Sequence, residues 1–461
     1  MKRAKTRPGW SRAGSALVLS LIFLAMFASL AAAMATFSAA NVQIANNQQQ
    51  TGRALSSAQS GLEILRYYLG SINIPAVAPS ERLNHIFNRL QTTLAGTNIT
   101  VSYNPTTETL TIPSVTLDST TQQNFAATLT YGGGGFDTLH VAVAGSSREA
   151  IKRVGVNYHF ATVGNPIFDW GIATKGPLQT QGNVDIEGFN EAFEASIYIE
   201  SLHSALALDM TGKSSIAGRV TIANGAANVA ISNSSSVHGA KGAAAMQYVT
   251  LGAVPHEFPV PSPSEFAGYI QSTFNPASDP TSNVTLTNVE IPANANPSFS
   301  GNTVIRGIMY VRAPNTIRFT GNATIQGLIV AEGDVAAPSA LNHLDFGGTV
   351  ASYDVSTLPP AEFGNLTQQT GTFILAPGFS VCFRGNFSTL NGVIAANGVQ
   401  FQGNAGGTIN GSVINYSNNR MELAGNTDLV FNRSGRERVP AGFQPSTTLY
   451  FQPESYCEGI S

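Results

Sequence analysis

The sequence predicts a mainly β protein led by one long α-helix: a transmembrane-type helix, then a small α+β segment, then a parallel β-helix, or solenoid. Three observations predict this. No charged residue occurs from Ala13 to Gly52, and Ser15 to Ala40 is almost wholly apolar. Short runs that alternate polar and apolar residues follow, as far as residue 160. From residue 165 onward a motif built on Gly-Asn recurs at about 20-residue spacing, the length of one solenoid coil.

Charged residues make up 11% of the 461, against about 25% in a typical soluble protein. The surface is therefore polar but largely uncharged. A chain this long exceeds the about 250–300 residues at which one compact core stops growing, so it forms several units or an elongated repeat. Lys2, Arg3, Lys5, Arg7 and Arg12 lie in the first 14 residues; without them 19 basic side chains face 27 acidic ones, a net charge of −8. No basic face is left for nucleic acid. The two cysteines, Cys382 and Cys457, are too few for a disulfide framework or a four-ligand zinc site; one disulfide or two free thiols both fit. No metal and no cofactor is expected.

Residues 1–14 form a basic leader ending in Gly14, and 15–70 form the long helix. About 20 apolar residues span a hydrocarbon core, so this stretch is long enough to cross, with the leader on the cytoplasmic side. Two processing sites compete. Ala33-Met34-Ala35 has the small-x-small form of a signal-peptidase site, leaving Thr36 as the new N-terminus, yet the apolar run before it, roughly 20 residues, exceeds the usual about 7–15. Apolar residues also continue at helical spacing through Val42, Ile44, Ala54, Leu55, Ala58, Leu62, Leu65 and Leu69. Ser15 to Leu69 would make a rod of roughly 80 Å, expected to soften or bend at Asn46 to Gln50 and Gly52. Ala25, Ser29 and Ala33 form a small-xxx-small ridge suited to close helix contact in lipid; alanines are also simply common in apolar helices.

A basic leader ending in Gly and followed directly by an apolar helix resembles the type IV pilin superfamily, and "RAGSALVLSLIFLA" at 12–25 is similar to the PilX-type minor pilins. The resemblance covers roughly the first 70 residues. It implies that a prepilin peptidase cuts between Gly14 and Ser15, that the apolar helix stays as inner-membrane anchor and filament core, and that other pilin-like subunits are its partners. Major pilins carry a Glu at the fifth mature position. Here that position is Leu19, which argues against a major filament subunit and leaves association to packing.

Residues 71–164 read as an α+β segment. Ser80 is a candidate N-cap for a helix with Leu83, Ile86, Phe87, Leu90 and Leu94 on one face. Five alternating runs follow, as in an antiparallel sheet. This is similar to the strand-rich segment that follows the helix in other pilins.

Residues 165–461 carry the repeat. The clearest copies are "FSGNTVIRGIMY" (299–310), "FTGNATIQGLIV" (319–330), "FRGNFSTLNGVIA" (383–395) and "FQGNAGGTINGSVI" (401–414), with "LAGNTDLVF" (423–431) as a shortened fifth. Each aromatic or aliphatic residue before Gly-Asn is expected to point inward and stack on its counterpart one coil away. The corners would fall at Gly301, Asn302, Gly321, Asn322, Gly385, Asn386, Gly403, Asn404, Gly425 and Asn426, where Gly and Asn tolerate left-handed backbone and aligned Asn side chains can hydrogen-bond between coils. Insertions at 254–275 and 352–369 are expected on one face, the binding face in many solenoids. The tail "PESYCEGIS" is expected to cap the last coil, where Cys457 would reach Cys382 if a disulfide forms.

Solenoids include polysaccharide lyases and hydrolases, whose sites need clustered carboxylates. Asp185 with Glu187 is the best candidate pair, but no carboxylates recur at that register in later copies, and the seven histidines are scattered singly. No catalytic residue is expected. The sequence points to a structural component of a type IV pilus or type II secretion-like pseudopilus. It would be held in the bacterial inner membrane with its bulk periplasmic, or lie at the cell surface within a pilus. Its solenoid would serve assembly, capping or adhesion to surface glycans or proteins. Two rivals are a secreted carbohydrate-active enzyme and a self-polymerising scaffold resembling bactofilins.

Overall fold

The computed structural model describes residues 13–74, 77–133, 135–434 and 439–459; the expected leader, apart from its last two residues, lies outside them. The chain is mainly β behind one long helix, α1 (Ala13–Leu69). It divides into two compact units: Met1–Arg66, Leu94–Tyr158 and Phe451–Ser461 form the first, Tyr67–Thr93 and His159–Tyr450 the second. The solenoid is thus an insertion within the first unit. The expectation that it runs to residue 461 is corrected. Ser446–Glu458 is a strand that joins the antiparallel sheet beside Ala150–Val163. There the Asn157 N–H donates to Ser455 Oγ at 2.7 Å, the Gly459 N–H donates to Arg153 O at 2.9 Å, and Phe451 packs edge-on against Tyr158 at 5.5 Å.

In the first unit Ser102–Asn104, Thr109–Asp118, Gln123–Tyr131 and Thr138–Ser147 pair antiparallel in chain order. Their period-two pattern buries Leu110, Ile112, Phe125, Leu129, Val141 and Val143 on one side. The second half of α1 covers that side. Ala54, Ala58, Leu62 and Leu65, three or four residues apart and so on one helix face, are all buried. Glycines set the spacing of the layers: a Cβ on Gly145 would lie 2.2 Å from Ala54 O, and one on Gly61 would lie 2.5 Å from the Phe125 ring. The expected softening near Gly52 does not occur, since α1 is unbroken. A mid-helix glycine costs about 1 kcal/mol, less than the docked turns that follow it contribute.

In the second unit two sheets of short strands face each other around an apolar interior. The chain enters in the middle of the stack at Ile172–Thr174 and Leu178–Gly188. It coils to one end at Ser236–Val237 and Val249–Leu251, crosses to the opposite end at Ser272–Thr273, and coils back to Val413–Asn415 and Met421–Phe431. The coils therefore do not stack in chain order. The last return meets the entry: Val413–Asn415 pairs in parallel with Ile172–Thr174, and Met421–Phe431 with Leu178–Gly188 over eleven residues.

The crossing segment, which contains the first insertion, packs down onto the stack. Its Phe258 and Phe266 are buried with Tyr198, Tyr310, Leu375 and Tyr416 over the outer side of one sheet, and Tyr416 Oη donates to Pro259 O at 2.7 Å. The second insertion covers the same side through Val355, Leu358, Phe363 and Leu366. Apolar residues at both positions, rather than loop composition, decide this. Helix α2 (Arg82–Thr93) is held to the crossing segment by Arg89 Nη2 donating to Pro255 O at 3.1 Å and by His85 Nε2 at 3.1 Å from Glu257 Oε2.

Where the two halves of the stack meet, Glu194 ties them. Its carboxylate accepts from the N–H groups of Asn190 (2.6 Å) and Arg433 (3.0 Å) and from the Ser434 hydroxyl (3.3 Å). Burial alone would raise its pKa; the hydrogen bonds from Asn190, Arg433 and Glu191 outweigh burial and hold it at about 2. A carboxylate held below its ordinary value of 4.5 contributes stability above that pH and loses it as pH falls toward 2. Urea-unfolding midpoints should therefore fall in that acid window. Glu194→Gln should lower the midpoint at neutral pH and make the acid slope shallower, and an unchanged slope would contradict this assignment.

Candidate functional site

The first half of α1 stands out among the described residues by what it leaves uncovered. Fourteen large apolar side chains from Leu17 to Ile44, Leu19 among them, are each 52–71% exposed. A contiguous apolar surface of this kind marks a membrane or protein partner. Among the described residues α1 is the one helix long and apolar enough to cross a membrane. Three of its hydroxyls suit that medium, because Ser20, Ser29 and Thr36 donate to Leu17 O, Met26 O and Ala33 O at 2.8–2.9 Å. Ala25, Ser29 and Ala33 share one face by their four-residue spacing, and Phe23, Met26, Phe27 and Leu30 flank the ridge. Gly14 and Ser15 fall in the first turn of α1.

The repeat corners form columns. A Cβ on Gly321 would lie 2.1 Å from Gly301 O, one on Gly425 2.4 Å from Gly403 O, and one on Gly385 2.3 Å from the carbonyl of Gly348, a glycine outside the Gly-Asn motif. The column continues through Gly182, whose Cβ would meet Gly425 O at 2.6 Å, and then through Gly212. Backbone thus packs on backbone at this corner, and any side chain would push coils apart. Asn side chains form two ladders: Asn322 Nδ2 donates to Asn302 Oδ1 at 3.2 Å, while Asn426 Nδ2 donates to Asn404 Oδ1 at 3.4 Å and Asn183 Nδ2 to Asn426 Oδ1 at 3.0 Å. Asn386 enters through its backbone, its carbonyl accepting from the Val350 N–H at 3.2 Å. Inside, Phe299, Phe319, Phe346, Phe383 and Phe401 stack at centroid spacings of 5.4, 4.9, 4.9 and 5.3 Å. This is close to the about 4.7–4.9 Å between paired strands. Phe346 and Gly348 sit in "DFGGT", a coil that lacks Asn and hides from the motif.

The two cysteines are free thiols, so the disulfide is not formed. They belong to different units. Cys382 lies on the solenoid strand Ser380–Phe383, where burial pushes its thiol up to about 11; Cys457 lies on the returning strand of the first unit, its Sγ 3.7 Å from Gly155 O. Asp185 stands in register between Asp428 and Ser215, so the expectation that no carboxylate recurs at its register is corrected by the fifth copy, where Asp428 follows Gly425-Asn426 as Asp185 follows Gly182-Asn183. Partial burial and then the Asp428 charge raise its carboxyl pKa against hydrogen bonds from Ser215 and the Ile186 N–H. Glu187 is in register with Val430, and no group of three or more metal-ligating side chains comes together among the described residues.

The fold and this surface define a helix-first, mainly β chain with an open apolar segment. No protein-family model and no curated protein matches it. Among solved structures it is similar to the competence-associated pilin ComZ from Thermus thermophilus, at 15% identity over 89% of this chain and 98% of that one, with a TM-score of 0.22. It is also similar to an ice-binding protein from an Arctic yeast, at 11% identity over 61% of this chain and 96% of that one, TM-score 0.18. A domain of a Shewanella frigidimarina ice-binding protein matches at 11% identity over 58% and 98%, TM-score 0.18. At such TM-scores none of the three carries a functional assignment.

Gly321→Ala places a methyl against a backbone carbonyl that cannot swing aside and should destabilise the protein by about 1–3 kcal/mol in urea unfolding. Gly268→Ala, where a Cβ meets nothing within 4 Å, serves as the neutral comparison.

Proposed function

We propose that the chain is a pilin-like structural subunit of the PilX type, anchored and assembled through α1 and displaying a parallel β-helix outside the cytoplasm. One observation carries this reading. A single unbroken helix is charge-free and open over its first half and buried against its own sheet over its second. A cut after Ala35 would still leave Phe37, Val42 and Ile44 exposed on an uncharged helix, so removal as an ordinary export signal does not solve the exposure. Retention in lipid or in a bundle of like helices does.

In this reading a prepilin peptidase cuts after Gly14, and the subunit sits in the inner membrane or within a pilus or secretion pseudopilus. Leu19 and the Ala25, Ser29, Ala33 ridge make contacts with neighbouring pilin-like subunits. The role is assembly, capping or adhesion rather than catalysis: Asp428 stands beside Asp185, but Glu187 lies opposite Val430, and no group of three or more metal-ligating side chains comes together among the described residues. Sequencing the N-terminus of protein purified from native membranes should return Ser15. A soluble monomer that begins at Thr36 would overturn the proposal.

A further inference from the structure

A cavity of about 290 Å³ opens on the second unit, near the lower end of the about 300–1,000 Å³ typical of ligand pockets. Its floor is glycine. Gly371, Gly392 and Gly411 line it on successive coils, linked by the Val393 N–H donating to Gly371 O at 2.8 Å and the Gly392 N–H donating to Asn410 O at 3.0 Å. A Cβ on Gly411 would lie 2.7 Å from Gly392 O, and one on Gly392 2.6 Å from Phe373 N. The coils thus pack too closely here for side chains, and the missing side chains leave a notch.

Asp354, Ser356, Asn410 and Arg433 rise around that floor, with Phe168 as an apolar wall. Each polar group is fixed in place. The Asp354 carboxylate accepts from the Ser356 N–H at 2.9 Å and the Gly371 N–H at 3.4 Å. The Arg433 side chain is 11% exposed, its Nη1 donates to Ser412 Oγ at 3.2 Å, and its Nη2 is 3.8 Å from Asp169 Oδ1. Asn410 Nδ2 donates to Asn391 Oδ1 at 2.8 Å, which sets the amide; its Oδ1 is buried and accepts no hydrogen bond.

The charges select the ligand class. An anion drawn to Arg433 would meet the carboxylate of Asp354, and a cation would meet the guanidinium. A neutral molecule with several hydroxyls satisfies both, giving a hydrogen to Asp354 and accepting from Arg433. We propose that this cavity binds one sugar residue of a neutral glycan. Phe168 is nearly buried and packs edge-on against Phe443 at 5.1 Å, so it bounds the site and offers no stacking platform; hydrogen bonds set the selectivity. The site lies wholly within the solenoid and does not depend on how α1 is used.

The test uses the full-length protein in a zwitterionic, sugar-free detergent. Saturation-transfer NMR is run at millimolar concentrations of the methyl glycosides of glucose, galactose, mannose and N-acetylglucosamine, with inorganic phosphate as the charged control. At least one glycoside should bind saturably and phosphate should not. Ser356→Trp fills the cavity from an exposed position and should weaken binding about tenfold or more without lowering the melting temperature. Absence of binding by all four glycosides, binding of phosphate in their place, or unchanged affinity in the folded variant would overturn the proposal. None of these outcomes bears on which residue begins the mature chain.

Discussion

The pairing of Leu178–Gly188 with Met421–Phe431 is the constraint on which the solenoid depends. These strands belong to the first and last coils in chain order, yet they are neighbours in the middle of the stack. Without the pairing, each half would end in a long unpaired strand edge. The joint is reinforced at every level: Asn415 Nδ2 donates to Thr174 Oγ1 at 3.0 Å, Ser412 Oγ to Phe168 O at 3.2 Å, Arg420 Nη1 to Gln179 Oε1 at 3.0 Å, and Glu194 bridges the outer loops. Closing so long a loop is less demanding than it looks, because each doubling of loop length adds only about 0.6 kcal/mol. A ladder of eleven residues with buried side chains beneath it exceeds that.

The coil was legible in the sequence and the order of coils was not, for one physical reason. A coil's length and corners follow from local requirements: an aromatic residue inward, then Gly where backbone meets backbone, then Asn where side chains bond across coils. Those requirements repeat, so Phe319, Gly321 and Asn322 announce themselves. Which coil stacks on which is set by the crossing segment, where Phe258 and Phe266 must cover one sheet, and by the meeting of Gly182 with Gly425. Neither carries a periodic signal. The coil around Phe346 also escaped, because Gly348 keeps the backbone contact while the following Thr349 replaces the Asn.

The candidate surfaces divide in the same way. Exposure of Leu19 and its neighbours on α1 was readable from an uncharged apolar run alone, since nothing in the remaining sequence offers such a run a matching face. The glycine floor of the cavity was half visible. Gly392 and Gly411 are the last glycines of their repeat copies, as Gly307 and Gly327 are of theirs, and Gly327 would place a Cβ 1.8 Å from Gly307 O. That second column was spelled out in the repeats. What no one-dimensional pattern could supply was the wall, because Asp354 comes from an insertion and Arg433 from beyond the last copy.

The insertion of the solenoid between Tyr158 and Phe451 nests one closure inside another. The outer one brings Ser446–Glu458 beside Ala150–Val163, and the inner one joins Met421–Phe431 to Leu178–Gly188. The inner ladder lies wholly between the strands of the outer in the sequence, so the first unit cannot complete its sheet until the chain has been made past the solenoid. Contacts of such sequence separation form slowly. Until they form, the antiparallel sheet lacks its returning strand while α1 already presents its apolar half. A membrane or a neighbouring helix that occupies that half early would keep the unfinished chain from associating through it.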